Sequence, residues 1–290
     1  MHFRPKLALA CMAAAVSVHA LAADAVHPEG AGKLDTVAPR LASFSTTPPA
    51  DLAAPLAQLV LRVQADDDLS GVNWLMFALR GPHGQQIWIG GDIDVPTRRL
   101  GLRVAADVRA DMEPGTWTVD WSSVSDAAGN TISYEQSELS LIGSTQIELT
   151  STREDLVDIE APSITEGILL TSTLSASGVL KGTPFAPIAK ADFKVRDTGS
   201  GIQSVFADWC LANESFCFST EAHDQVRCVL KATEHSGGSI AGMPPGIYRL
   251  RDLIVFDQAG NRAFYQGADF GGGTDFSTLM PGGHAITITP

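Results

Sequence analysis

The residues of this 290-residue chain best suited to chemistry are acidic, and they come in sets. Asp66, Asp67 and Asp68 stand together, Asp126 and Asn130 bracket a short segment, and Asp197, Asp257 and Asn261 repeat that arrangement further on. Asp35 precedes the first set, and Asp158 with Glu160 precedes the second. Carboxylates and amide oxygens are hard donors, and Ca²⁺ takes about six to eight of them, so such groups suit a hard divalent cation. The same residues also suit tight turns, in which an Asp accepts from backbone N–H groups two residues on and a glycine takes positive φ. For all eleven positions both readings, Ca²⁺ ligand and turn residue, stand open at this level.

Other candidates carry less. Trp74, Met76 and Trp88 fall where they could form an apolar patch on an outer sheet face, and exposed aromatic rings stack on sugars, which makes Trp74 and Trp88 glycan candidates. Against that, tryptophan more often covers a sheet edge or packs under a loop. His83, His223, His235 and His284 sit in no nucleophile elbow and no paired-His metal motif. The His223-Asp224 pair lies on a polar connection, and Cys210, Cys217 and Cys228 interleave with histidines at no zinc spacing. Gly271-Gly272-Gly273 follows no helix signal and reads as a flexible linker, not a phosphate loop. Carboxylates are numerous enough for a glycosidase pair, but no cleft can be argued from the pattern. No catalytic residue is assigned, and the expectation is a non-enzymatic protein, with a secreted hydrolase as the third class considered.

The acidic sets belong to a larger repeat. Asp67-Asp68-Leu69-Ser70-Gly71 is answered by Asp197-Thr198-Gly199-Ser200-Gly201, and Asp126-Ala127-Ala128-Gly129-Asn130 follows at almost the same distance as Asp257-Gln258-Ala259-Gly260-Asn261. Between them lie Pro114-Gly115-Thr116-Trp117 and Pro245-Gly246-Ile247-Tyr248; ahead of them lie Asp35-Thr36-Val37-Ala38-Pro39 and Asp158-Ile159-Glu160-Ala161-Pro162. Four landmarks in one order, twice, indicate a tandem duplication.

What positions them is strand. Leu59, Leu61, Val63 and Ala65 alternate with polar or outward residues, as do Leu75, Phe77 and Leu79, then Ala191, Phe193 and Val195, then Val205, Ala207 and Trp209. Further strands are expected at 85–89, 100–105, 116–124, 146–150 and 285–289, with an irregular segment after Asn130. Trp117, Val119 and Trp121 share one parity and Val124 and Asp126 the other; Tyr248 and Leu250 against Leu253, Val255 and Asp257 slip likewise, which a shared β-bulge explains. The resulting expectation is all-β: a domain over 35–151, a linker over 152–157 and a second domain over 158–290.

The set D-x-x-A-P, D-D-L-S-G-V, E-P-G-T-W and D-A-A-G-N resembles the bacterial immunoglobulin-like repeats of secreted and cell-surface proteins, from Asp35 to the C-terminus apart from linkers. The second repeat departs by placing Tyr248 where the first has Trp117 and by adding a cysteine-bearing hairpin. The resemblance implies two tandem immunoglobulin-like β-sandwich domains serving as spacers, adhesin segments or accessory modules, with acidic corners gathered at one end of each sandwich. A cation there would stiffen the junction, as the similar linker motif of cadherin-like repeats implies.

Residues 1–22 read as a cleaved signal peptide: Arg4 and Lys6, an apolar run from Leu7 to Val18, and Ala20-Leu21-Ala22 as a cleavage site. Cys11 lies inside the apolar run, a poor lipid-attachment match. Residues 23–34 form a loose leader, and the location expected is secreted, periplasmic or cell-surface, without membrane insertion after cleavage. In an oxidising compartment two of the remaining cysteines should pair; Cys210 and Cys217 flank Asn213-Glu214-Ser215, a hairpin turn, and Cys217 with Cys228 is the alternative. The formal charge of −13 disfavours nucleic acid and anionic lipid, which leaves an extracellular protein or glycan as partner.

Overall fold

A computed structural model describes residues 19–20, 34–175, 188–223, 231–240 and 243–290. Most of the expected signal peptide and leader, Cys11, Asp224 and Cys228 lie outside the described residues, as do the side chains of His223 and His235. Among the described residues the regular structure is almost entirely strand, and no helix is long and apolar enough to cross a membrane. The chain separates into two compact units on either side of the Ile159–Glu160 bond.

The first unit holds β1 (Arg40–Thr47), β2 (Gln58–Asp66), β3 (Val72–Arg80), β4 (Gln86–Thr97), β5 (Arg99–Asp107), β6 (Gly115–Asp126), β7 (Thr131–Glu135), a single helical turn α1 (Gln136–Leu139) and β8 (Gln146–Leu149). One antiparallel sheet runs β5-β2-β1; the other runs β4-β3-β6-β7, with β8 also paired to β6. The alternation in β2 explains the packing: Leu59, Leu61, Val63 and Ala65 point into the core while Arg62, Gln64 and Asp66 face out. Leu75, Phe77 and Leu79 of β3 meet them from the opposite sheet, together with Trp117, Val119 and Val124 of β6. Burying each of these larger side chains is worth roughly 1.5–3 kcal/mol, so the two inner faces carry the stability of the unit.

The second unit holds β9 (Ser163–Leu169), β10 (Thr173–Ser175), β11 (Ile188–Arg196), β12 (Ile202–Leu211), β13 (Cys217–His223), β14 (Lys231–Ser239), β15 (Gly246–Asp257), β16 (Arg262–Gln266), the turn α2 (Phe276–Leu279) and β17 (Ala285–Thr289). Its core gathers Phe193 and Val195, Val205, Ala207 and Trp209, and Tyr248, Leu250, Leu253 and Val255. A single paired position, Glu221 with Gly237, links β13 to β14 and makes the strands one continuous path, β9-β11-β14-β13-β12-β15-β17-β10, with β16 also on β15.

The two units share their ladders. β1–β2, β2–β5, β3–β4, β3–β6, β6–β7 and β6–β8 are matched in order by β9–β11, β11–β14, β12–β13, β12–β15, β15–β16 and β15–β17. The irregularities recur as well. Register shifts at Leu41/Ser43, Val72/Trp74 and Ala78/Leu79 are answered at Ile164/Glu166, Ile202/Ser204 and Asp208/Trp209. The bulge expected in the long strand is therefore present twice, but it falls one residue pair earlier than the parity of Trp121 implied. Val119 stands opposite Leu79 and Trp121 opposite Ala78, so the extra residue is Asp120 and Trp121 turns to the outer face.

Two further expectations are corrected. The segment after Asn130 is not irregular: Thr131–Glu135 pairs along β6, because Ile132 and Tyr134 alternate toward the core with polar residues between them. The Gly271–Gly273 segment is not a free linker. Gly271 has φ 83° and closes a helical turn at Ala268–Phe270, and the strap after it inserts Phe276 and Met280 into the core.

Candidate functional site

The two signature turns of each unit turn out to be halves of one clasp. In the first unit Asp67 Oδ2 accepts from the N–H of Leu69 (3.0 Å) and Gly71 (2.6 Å), folding the corner between β2 and β3. Asp126 Oδ1 accepts from Ala128 (2.9 Å) and Asn130 (2.8 Å) while its Oδ2 accepts from Asn130 Nδ2 (2.8 Å), folding the β6–β7 hairpin. The corners are then tied together: Ala127 N–H donates to the Gly71 carbonyl (2.9 Å) and Ala128 N–H to Ser70 Oγ (3.3 Å). The second unit repeats the set with Asp197 to Gly199 and Gly201, Asp257 to Ala259 and Asn261, Gln258 to Gly201 and Ala259 to Ser200. Gly71, Gly129, Gly201 and Gly260 have φ between 87° and 93°, a region that any side chain would strain. D-x-x-S-G and D-x-A-G-N travel together because each satisfies the other's backbone.

The carboxylates divide unevenly between the two corners. In the first, Asp35, Asp67 and Asp68 each bring an oxygen within 4.8 Å of the others, and these residues are half-buried, half-buried and exposed. Asp35 Oδ1 accepts from Val37 (3.1 Å) and Oδ2 from Ser70 (2.8 Å). Asp66 is exposed on the outer side of β2, and Asp126 and Asn130 are occupied in the clasp, the Asn130 amide also reaching the Asp35 carbonyl at 3.4 Å. In the second, Asp197 and Asp257 are both buried. Asp158, also buried, belongs to the first unit, where its N–H donates to the Asp111 carbonyl (2.9 Å) and its carbonyl accepts from Gln85 Nε2. Glu160 is exposed, and Asn261, buried, spends its amide on Asp257.

One atom stands out in that second group. Asp197 is 3% exposed, and while its Oδ2 takes two backbone donors, its Oδ1 is buried without a hydrogen-bond partner. Leaving a buried acceptor without a donor costs roughly 1–3 kcal/mol, more when it is charged. Asp67 Oδ1 is also buried without a partner, but on a side chain that is itself half in solvent. The donor set at the second corner is all oxygen, which fits a hard cation and not a thiophilic one.

The sequence left unnoticed a further shared element. Tyr134, four residues after Asn130, accepts the Leu41 N–H at 2.9 Å, and Tyr265, four residues after Asn261, accepts the Ile164 N–H at 3.3 Å. Reading the motif four residues further would have found it. The Trp117/Tyr248 exchange is likewise less of a departure than it looks: Trp117 Nε1 donates to the Glu113 carbonyl and Tyr248 Oη to the Pro244 carbonyl, each at 2.9 Å and each four residues back.

Trp74 and Trp88 do lie on the outer face of the β4-β3-β6-β7 sheet, half-buried, and Trp121 joins them there, its ring 6.1 Å from Trp88 in an edge-on pair. Met76 and Ala78 between them are 5% and 6% exposed, so the indoles lie over the strand. An Arg80–Asp120 ion pair borders this face. The equivalent face of the second unit is different chemistry. Buried Arg251 donates to Asp252 (2.7 Å), Glu214 (3.4 Å) and Asp208 (3.5 Å), and burial pushes the Asp252 carboxyl above its ordinary range against the pull of Arg251. The Cys210–Cys217 disulfide closes the adjoining hairpin, whose tip is turned by Glu214 at φ 54°.

The histidines form no catalytic group among the described residues. His83 is held by Glu113 across the tip of the β3–β4 hairpin. His284 lies beside Asp269 (3.8 Å) at a cavity of about 90 Å³ that Asp275 and Phe276 also line, room for roughly three waters. No protein-family model matches the chain, and no curated protein resembles it.

Proposed function

We propose that the chain is an exported, non-enzymatic protein of two tandem immunoglobulin-like sandwiches that binds, or holds apart, other components outside the cytoplasm. The observation that carries this reading is the duplication of form: six ladders, three bulges and the whole corner clasp recur, whereas among the described residues no histidine or carboxylate recurs as a reacting pair. Selection on a repeated scaffold, with its outer faces free to differ, suits a modular binding or spacing protein. The basic start, apolar run and Ala20-Leu21-Ala22 support export, and the disulfide suits an oxidising compartment.

Cell fractionation with N-terminal sequencing tests it: the reading requires the chain outside the cytoplasm with its N-terminus near Ala23. An intact cytoplasmic chain, or turnover of hydrolase substrates that survives repurification, would sink it. A second reading, a carbohydrate-binding module, is favoured by Trp121 joining Trp74 and Trp88 on one face. On a glycan array it requires neutral-sugar binding that Trp74→Ala and Trp121→Ala each abolish.

A further inference from the structure

We infer that the outer edge of β5 in the first unit is a strand-addition site, and that its occupant is an extended, acidic peptide segment of a partner protein. A strand at the rim of a sheet offers a row of backbone N–H and C=O groups, and folded proteins blunt such rims with bulges, prolines, charges or cover. The other rims of the first unit are treated in this way. β4 leaves its ladder between Asp92 and Thr97, and the stretch it bulges out holds Asp94 and Pro96. β1 is engaged where Tyr134 takes the Leu41 N–H and where Phe44 meets Gly143, and β7 is only five residues long. β5 has none of these devices. It runs nine residues in unbroken register against β2, without proline or bulge. Among the described residues only His19 and Ala20 pair with its other side, antiparallel to Arg103 and Leu102, which is the direction an added strand would take. The second unit closes the matching side, since β14 meets β13 at Gly237 and Glu221.

The side chains at this rim set the charge of the occupant. The ladder places Arg103 of β5 directly opposite Arg62 of β2 on the outer face, the first half-buried and the second exposed. Like charges facing one another across a ladder are destabilising. Elsewhere arginines are matched: Arg80, Arg109, Arg153, Arg249 and Arg251 each hold a carboxylate. Carboxylates are in surplus, 33 Asp and Glu against 20 Lys and Arg, yet neither Arg62 nor Arg103 forms an ion pair among the described residues. A carboxylate on the added strand, next in the row to Arg103, supplies the missing partner. Because side chains alternate along a strand, an acidic residue at every second position faces Arg103 and Arg99, while those between turn toward the side where Leu100, Leu102 and Val104 are buried. A second copy of β5 is a poor occupant: the antiparallel register that sets Arg99 against Asp107 at both ends brings the two Arg103 side chains together at its centre. The inference goes beyond the reading above and is independent of export, since the edge belongs to the folded unit in either form.

The test is titration of the full-length chain with a capped peptide alternating aspartate and valine, matched to the nine residues of β5, read by fluorescence anisotropy of a dye on the peptide and by hydrogen exchange on the chain. The expected result is saturable one-to-one binding that slows exchange in β5 and leaves β4 and β14 unchanged. The lysine–valine counterpart binds about tenfold more weakly, and N-methylation of alternate backbone nitrogens abolishes binding in one of its two phases, because that strand can no longer donate to the edge. Arg62→Glu with Arg103→Glu reverses the preference between the two peptides. The peptide series uses the unaltered chain, so it decides the matter even where that variant fails to fold. No binding of the acidic peptide, equal binding of both peptides, or binding that survives N-methylation in either phase overturns the inference. So does exchange in β5 that slows with chain concentration alone, which would make a second copy the occupant, or that is already slow throughout β5 in the dilute free chain, which would make it the chain's own N-terminal segment.

Discussion

The two corners of this protein are one backbone built twice, with the charge set at different depths. Ser70 and Ser200 receive the same N–H, Gly71 and Gly201 offer the same carbonyl, and Asp126 and Asp257 make the same three bonds. Conformation is therefore not what separates them. In the first corner Asp35 and Asp67 are half-buried and Asp68 is exposed. In the second, Asp197 and Asp257 are buried, and Asp197 Oδ1, like Asp67 Oδ1 in the first, has no hydrogen-bond partner. The general lesson is that a repeated motif reports on backbone hydrogen bonding, while the depth of its charged groups is set by what covers each copy.

The most damaging change to that comparison is removal of the shared Asp. Asp126→Ala and Asp257→Ala each strip two backbone donors and one amide of their acceptor in a site closed to water, and should each destabilise their own unit by about 3 kcal/mol. Hydrogen exchange on the full chain, read unit by unit in chelator, checks this. Equal losses support a common structural role; a loss confined to one unit would mean the clasp is not the same device twice.

The disulfide sharpens the comparison in the other direction, because the first unit has nothing like it. Cys210 and Cys217 close a short loop, and chain-entropy arguments put the contribution of such a loop at about 2 kcal/mol. Cys210→Ala with Cys217→Ala should lower protection in β12 and β13 and leave β3 and β4 untouched. Gly129→Ala and Gly260→Ala come next, at about 1 kcal/mol each. An added Cβ at Gly129 meets no atom within 4 Å, so only its φ of 89° is strained. Unequal costs, measured as denaturation midpoints, would show that the hairpins differ in more than sequence.

How much of this could be read from the sequence depended on the range of the interaction. Alternation exposed β2, β3, β11 and β12, because a strand with one buried face writes its period into consecutive residues. The Cys210–Cys217 pairing was legible for a similar reason, since Asn213-Glu214-Ser215 brings its two neighbours opposite one another. Trp121 was misplaced because the bulge residue, Asp120, carries no local mark; only the register against Ala78 and Leu79 reveals it. Tyr134 and Tyr265 were missed because their hydroxyls meet Leu41 and Ile164 about a hundred residues away in sequence. The turn roles of Asp67, Asp126, Asp197 and Asp257 were legible in the two motifs, but the depth of Asp197 was not, since its burial depends on what covers the corner.

The smallest effect is also the one whose sign separates the units. Burial holds the Asp252 carboxyl above its ordinary value of 3.8, opposed by Arg251 and reinforced by the neighbouring charges of Asp208 and Glu214. A carboxyl raised on folding binds its proton more tightly in the folded state, so this group adds stability as pH falls from its raised value toward 3.8 and removes it as pH rises. Asp51 in the first unit runs the opposite way. The Thr152 hydroxyl and the N–H groups of Ala53 and Thr152 hold it below 3.8, so its contribution is present above that value and lost as pH falls through the lowered one. Asp275, held down by Ser277, gives the second unit a term of the same sign as Asp51. Just above pH 3.8 the second unit should thus gain protection relative to the first, and Asp252→Asn should abolish that gain while leaving the losses at lower pH in place. Hydrogen exchange across this range decides it: parallel behaviour of the two units, or a gain that survives Asp252→Asn, would mean that the buried Arg251 network is not what distinguishes their outer faces.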